Sequence, residues 1–400
     1  RIKYLAQLKG RIGWQGLTAD EFIDEGPYLI TGTDFENGKI QFDRSYHISD
    51  ERYNQAPEIQ LKVGDLLVTK DGTVGKMAYV DTLPGKASLN SHLLLIRPLE
   101  NKFDNRFLFW LMSSSVFNGY TEYAQDGTVM ASLSQEKIGN FIAYFPEITE
   151  QQAVADFLDK ECAQIDSIAA DLEKQIALLQ QYKKSLITET VSKGLDKSVP
   201  VKDSGIEWIG EIPAHWDVEP IKYRVTFHNG DRGENYPTKS ELQSEGIPFI
   251  NAGHLEGDGL NMDNMDYISE EKYRIMGGVK LRSGDILYCL RGSVGKNAIV
   301  DMNQGTVASS LVAIRSVRIS AEYLYYCLNS HIEEVQRYWW DNGTAQPNLS
   351  ADNLGKYKIC IPPVEEQKAI VKYLNNICSQ IDNLIIGKKK QFSTIQQHKK

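Results

Sequence analysis

The chain has 400 residues, of which 42% are hydrophobic, 24% charged and 10% aromatic, a globular composition that makes room for two or three folding units and excludes a disordered or fibrous protein. Its formal net charge of -9 excludes a protein that coats nucleic acid indiscriminately, because such proteins are strongly basic, although a local basic face remains open. The five cysteines form no CxxC pair and the opening RIKYLAQLKG is too polar for a signal-peptide core, so disulfide frameworks, zinc ribbons and secretion are not supported, and with no apolar run near the ~20 residues of a bilayer span the chain reads as intracellular and soluble.

In chain order, residues 1–146 read as an α+β globule. After IKYLA (2–6) and the polar stretch GRIGWQGLTADEF (10–22), short apolar runs such as DLLVT, KMAYV and HLLLIRP are punctuated by Gly, Asp, Asn and Pro, the pattern of short strands and turns. A helical stretch fits RFLFWLMSSSVFNGY (106–120) before the DGTVMASLSQEKIGNF element (126–141). From Thr149 to Gly194 about 45 residues pass without Gly or Pro, with apolar residues at helical spacing. This predicts a long helix over 147–195 whose seam is Ile165, Leu172, Leu179 and Leu186, with Ile168 and Tyr182 as the second seam series. Acids crowd its start and lysines its end, which suits the helix dipole. Residues 196–220, with their Gly and Pro, form a connector.

Residues 221–362 then repeat the first plan and residues 363–400 repeat the long helix. VGDLLVTKDGTVGKMAYVD (63–81) matches SGDILYCLRGSVGKNAIVD (283–301) without a gap, DGTVMASLSQEKIGNF matches NGTAQPNLSADNLGKY (342–357), and FPEITEQQAVADFLDKECAQID (145–166) matches IPPVEEQKAIVKYLNNICSQID (361–382). Upstream, GPYLITG answers IPFINAG and IKYLA answers IKYRV, in the same order. A helical stretch over 321–340 corresponds to that over 106–120, and the second long helix carries Ile377, Ile381, Leu384 and Ile395. Two long amphipathic helices, each following its own globule, bury their seams most simply against each other. The expected fold is therefore two similar α+β globules joined by two long antiparallel helices in a coiled coil, with pseudo-twofold symmetry.

The ITEQQAVADFLDKECAQID and VEEQKAIVKYLNNICSQID segments, the GDLLVTKDGTVGK and GDILYCLRGSVGK loops and the connector SGIEWIGEIPAHWDVEPIKY resemble the specificity subunit of type I restriction-modification systems, over essentially the whole chain. The resemblance implies that 1–146 and 221–362 are target-recognition domains, each reading one half of a bipartite, asymmetric site on double-stranded DNA. It implies that the helices space the two half-sites and dock two methyltransferase (modification) subunits. No cofactor is then expected in this chain: S-adenosylmethionine belongs to the methyltransferase, and ATP and Mg to the restriction endonuclease/translocase partner, in a prokaryotic cytoplasm. The chain opens inside the IKYLA element without an initiator Met and stops where the first half continues with SLITETVSKG, so the expectation is that both termini are incomplete or disordered.

Three groups are candidates for DNA contact. Lys70, Thr73 and Lys76 on the first glycine-rich loop correspond to Leu290, Ser293 and Lys296 on the second, with Arg291 opposite Asp71; such groups reach phosphates, or the loop is simply a solvated hairpin turn. Arg11, Trp14 and Gln15, with Arg232, Asn235 and Tyr236, lie where the halves diverge most; Arg, Gln and Asn form bidentate contacts with base edges, or belong to an ordinary polar loop. Asn90, Ser91 and His92, opposite Ala308, Ser309 and Ser310, and Gly127, Thr128 and Ser132, opposite Gly343, Thr344 and Asn348, approach DNA or cap and turn the chain. Tyr338, Trp339 and Trp340 suggest a stacking platform, but aromatics ending a helix usually belong to the core.

Catalytic motifs are missing. The nearest string to an amino-methyltransferase motif is Ile361-Pro362-Pro363-Val364, which lacks both the amide or acid and the aromatic; no HExxH, GxSxG, P-loop or Cys/His cluster occurs. The expectation is a non-catalytic subunit, and the competing reading is a coiled-coil adaptor that binds only proteins.

Overall fold

The apolar runs of the first half become the strands of a four-stranded antiparallel sheet in the order Ala6–Lys9, Leu93–Pro98, Leu66–Thr69, Met77–Tyr79. In the computed structural model, which describes residues 1–11, 17–100, 102–124, 133–257, 259–340 and 348–398, the chain divides into two units, Arg1–Asp171 with Ser393–Lys400, and Leu172–Phe392.

The central strands of the first unit are buried on both faces, and their alternation explains the uninterrupted apolar runs. Leu66, Val68, Leu94 and Ile96 pack toward Leu108, Met112 and Phe117 on one side. Leu67, Leu93 and Leu95 pack toward Ile30, Ile59 and Leu89 on the other. A second, three-stranded sheet sets Ile23–Ile30 antiparallel to Tyr46–His47 and parallel to Ala87–Leu89.

The second unit repeats this plan strand for strand. Its four-stranded sheet runs Val225–Asn229, Leu311–Ser316, Ile286–Cys289, Asn297–Ile299, and its three-stranded sheet sets Ile247–Ile250 between Asp266–Ile268 and Thr306–Val307. The alternation recurs, with Ile286, Tyr288, Val312 and Ile314 in one cluster and Leu287, Cys289, Leu311 and Ala313 in another. Each predicted helical stretch is two helices, Asn105–Ser113 and Ser115–Ala124 in the first half, Ala321–Leu328 and His331–Trp340 in the second.

One framework feature is duplicated atom for atom. The buried Asp65 carboxylate takes two hydrogen bonds from Arg97, at 2.7 Å each, and a third from the Lys62 N–H. Asp285 takes the same set from Arg315, at 2.8 and 2.7 Å, and from the Arg282 N–H. The interior is not duplicated throughout: where the first half buries Val68 and Phe117, the second buries Tyr288 and Glu333. There the Tyr288 hydroxyl donates to the Glu333 carboxylate, which Arg337 also meets at 3.1 Å. Burial nevertheless pushes the Glu333 carboxyl above the usual range, against the pull of Arg337.

The long helices are Ile148–Lys193 and Val364–His398, about 69 and about 52 Å at 1.5 Å per residue. Within the second unit they run antiparallel: Lys183 bonds Asp382 at 2.8 Å, and further back Gln175 accepts from Lys388 at 2.5 Å. The first seam series is as expected at Leu172, Leu179 and Leu186, but its companion lies four residues on rather than three. Ile168 and Tyr182 are exposed, and Ala169, Ile176 and Lys183 turn inward. Lys183 can occupy a seam because its stem packs while Asp382 meets its ammonium. On the second helix the seam is Cys378, Ile381 and Ile385, with Leu384 exposed; spacing of alternately three and four residues excludes 384 once 381 and 385 are inside.

The stretch expected as a connector is folded onto the second unit. Val201–Asp203 pairs with Glu211–Pro213, Asp217–Pro220 pairs with Lys358–Ile361, and Trp216 is 0% exposed in the cluster that includes Ile187, Val191 and Ile370.

Candidate nucleic-acid interface

In the second unit, segments far apart in sequence meet at one cleft of about 310 Å³. Strand Val225–Asn229 and the loop after it supply Asn229 and Arg232, the glycine-rich turn supplies Leu290 and Arg291, and the segment entering helix Ala351–Gly355 supplies Asn348 to Asp352. Backbone bonds hold the glycine-rich turn to its neighbours: the Leu290 N–H donates to Ser310 O, the Leu349 N–H donates to Leu290 O, both at 2.8 Å, and Arg291 bridges Asn348. Gly292 and Gly295 have φ of +76° and +95°, which a Cβ would strain, so the turn depends on those glycines. Arg232, Arg291, Ser293, Lys296 and Asn348 are all exposed. Arg232 also donates to Ser309 O at 3.3 Å.

Asn235 and Tyr236 have structural attachments. The Asn235 amide donates to Ile275 O at 3.1 Å, and Tyr236 lies edge-on to Phe249 at 5.6 Å. The three aromatics after 337 divide. Tyr338 and Trp339 are exposed rather than in the core, Trp339 stacking on Trp208 at 6.2 Å, while Trp340 packs on the core under the Lys356 ammonium.

The first unit builds the same frame with different chemistry. The Lys70 N–H donates to His92 O and Lys70 O accepts from the Leu133 N–H, both at 2.8 Å. Lys70 is half-buried against Gly10, where a Cβ would stand 3.1 Å from its Nζ. Burial lowers the Lys70 pKa and Asp71 opposes it. Asp71 in turn meets His92 Nδ1 at 3.4 Å. Thr73 is exposed, Lys76 is half-buried with Nζ 3.4 Å from Gly32 O, and Asn90 Oδ1 accepts from the His92 N–H at 3.1 Å.

Arg11 departs from the expectation. It is 4% exposed, donating from Nε to Leu89 O at 3.0 Å and from Nη2 to Ser88 Oγ at 3.1 Å, and burial depresses its pKa. Buried donors need acceptors, and Leu89 O and Ser88 Oγ on strand Ala87–Leu89 take those of Arg11. Trp14, Gln15, Gly127, Thr128, Ser132, Gly343 and Thr344 lie outside the described residues. Asn229, Ser350 and Asp352, which no sequence motif marks, also line the cleft of the second unit. Their signal was position: Asn229 ends a strand at the edge of the divergent loop, and Ser350 and Asp352 follow the repeated GT element.

Among the described residues no group of His, Cys, Asp or Glu could hold a metal ion, and no helix is long and apolar enough to cross a membrane. A family model described as the type I restriction modification DNA specificity domain matches residues 14–178 and again residues 226–391. The chain belongs to that family. Among its relatives, the MjaVIII type I restriction enzyme specificity subunit of Methanocaldococcus jannaschii is 25% identical over 351 residues, 86% of this chain and 78% of that protein. A chain solved in work on complex assembly and conformational transition of the type I R-M system has a TM-score of 0.70 at 18% identity, covering 99% of this chain and 95% of its own. The crystal structure of the HsdS subunit from Thermoanaerobacter tengcongensis gives 0.54 at 16% identity, covering 100% and 93%. The duplicated frames are thus the two specificity domains of one type I specificity chain.

Proposed function

We propose that this specificity subunit is non-catalytic and directs partner enzymes to a bipartite, asymmetric DNA site, each recognition domain reading one half. The observation that carries this is a single frame built twice with unlike chemistry at the same place: Lys70, Asp71 and His92 in one copy, Leu290, Arg291 and Ser310 in the other. Arg291, Arg232 and Asn348 are the side chains best placed to read base edges or phosphates in the second half, and Lys70, Thr73, Lys76 and Asn90 are the candidates in the first. Trp14, Gln15, Thr128, Ser293, Lys296 and Thr344 remain candidates.

The long helices set the gap between half-sites and dock two methyltransferase subunits. Supporting the docking, Phe157 and Tyr373, and likewise Ile168 and Leu384, occupy equivalent positions outside the helix seam and are exposed in both copies; a surface repeated in this way fits a partner present twice. S-adenosylmethionine is held by the methyltransferase, and ATP with Mg by the restriction partner.

Exchanging residues 7–145 for the corresponding domain of another specificity subunit, followed by methylation mapping of the host genome, tests the reading. One half-site changes while the other half-site stays. Both half-sites changing, or methylation indifferent to the exchange, favours an adaptor that binds only proteins.

A further inference from the structure

Each long helix begins with a buried glutamine that ties three segments together. Gln151 is 1% exposed and Gln367 3% exposed. Gln151 Oε1 accepts from the Asp104 N–H at 2.9 Å and its Nε2 donates to Pro146 O at 2.7 Å. Gln367 Oε1 accepts from the Ser320 N–H at 3.0 Å and its Nε2 donates to Pro362 O at 2.9 Å. Asp104 and Ser320 are the N-caps of helices Asn105–Ser113 and Ala321–Leu328, and their side chains are engaged in capping, Asp104 accepting from the Arg106 N–H and Ser320 from the Tyr323 N–H. Each carboxamide therefore joins the recognition domain, through the backbone of a helix cap, to the first turn of the long helix and to the proline segment leading into it.

A second latch stands two turns further along, with its chemistry exchanged. In the first unit Trp110 Nε1 donates to Asp159 Oδ1 at 2.7 Å. At the equivalent positions in the second unit the Tyr326 hydroxyl donates to Asn375 Oδ1 at 2.6 Å. Attachments at two levels between the same pair of helices fix an angle, whereas one would leave a hinge; in the first unit Arg106 adds ion pairs to Asp156 and Asp159. The side chains of the second latch differ while the geometry stays, so the constraint lies on orientation. At Gln151 and Gln367 the carboxamide accepts with its oxygen and donates with its nitrogen. A carboxylate lacks the donor and an apolar side chain leaves a buried N–H and C=O without partners.

We propose that Gln151 and Gln367 are positioning residues that lock each recognition domain to its long helix at a fixed angle, so that the length of the helix is read out as a gap on DNA. This rests on the specificity reading above. A base-pair step is about 3.4 Å along the axis and about 34° around it, so a recognition domain free to swing on its helix accepts neighbouring gaps.

The test uses the full chain. Spin labels at S240C and K372C, with Cys162→Ser, report the distance between the second recognition domain and its own helix. Gln367→Met broadens that distance distribution at least twofold relative to the wild-type side chain; an unchanged width overturns the proposal. With the methyltransferase partners present, methylation mapping reads the preference for the wild-type gap over gaps one base pair longer or shorter. That preference falls at least tenfold while the half-site bases are retained. A preference left intact, altered half-site bases, or loss of all methylation by a folded variant each counts against the angle-setting role. Gln151→Met, with labels at D43C and K160C, repeats the distance measurement in the other unit should Gln367→Met fail to fold. If the wild-type chain directs no gapped methylation, the specificity reading fails while the distance result still decides the clamp.

Discussion

Trp216→Ala lowers the stability of the second unit by about 3–5 kcal/mol, the range for removing a fully buried aromatic side chain. The indole is 0% exposed, lies in the cluster with Ile187, Val191, Ile212 and Ile370, and donates from Nε1 to Glu366 Oε2 at 2.9 Å. Gly194, with φ of +69°, ends the first long helix close against it, where a Cβ would come within 3.0 Å of the ring. Collapse into the space is restricted because helix, connector and second helix all border it. Trp216→Phe separates the two contributions: it keeps most of the packing and loses the bond to a carboxylate, at a cost of about 1.5–3 kcal/mol. Glu366 retains His215 as a partner at 2.7 Å, which places Phe at the lower end. Calorimetry reads both; an alanine variant that melts with the wild type would mean that residues 196–220 are a mere tether.

Arg315→Met costs the second unit about 3 kcal/mol, the lower end of the range for breaking a buried ion pair by removing one partner. The Asp285 carboxylate is 1% exposed and receives two of its three hydrogen bonds from Arg315. Hydrogen bonding to Asp285 raises the Arg315 pKa, against desolvation. The guanidinium retains some contact with water and the Arg282 N–H remains as a donor, so the cost stays below the maximum. For a unit of 150–250 residues it corresponds to a melting shift of roughly 6–12 °C. Arg97→Met removes the equivalent pair with Asp65 and destabilises the first unit. Hydrogen exchange resolves the two units separately; protection lost equally in both from a single substitution would contradict independent frames.

The duplicated plan was legible because a repeat doubles every local signal. GDLLVT and GDILYC each read as a strand, and their agreement fixed the plan of the whole half. The long helices were legible from an uninterrupted helical period. What escaped was decided by competition between side chains for one place. Tyr182 is more apolar than Lys183, yet the lysine takes the seam because Asp382 compensates its charge, and that partner lies some two hundred residues away in the chain. Arg11 reads as a base-contacting side chain, but it lies inside, bonded to the Leu89 carbonyl and the Ser88 hydroxyl. Gly and Pro mark 196–220 as a connector, and the buried Trp216 is what packs it onto the second unit. At the candidate interface, Arg232, Arg291 and Asn348 come from three separate segments and converge on one cleft. In the first copy Trp14, Gln15, Gly127, Thr128 and Ser132 fall on residues 12–16 and 125–132, outside those described.

On the proposed reading, helix length sets the distance between two independently read half-sites. Inserting one heptad into each long helix, within 167–190 of the first and opposite it in the second, preserves the seam and adds about 10.5 Å of rise. Methylation mapping of cells carrying that variant with its partner subunits should return the original half-site bases separated by a longer gap, by up to about three base pairs at 3.4 Å each. Methylation at the original gap, or at new bases with the gap unchanged, would contradict the account.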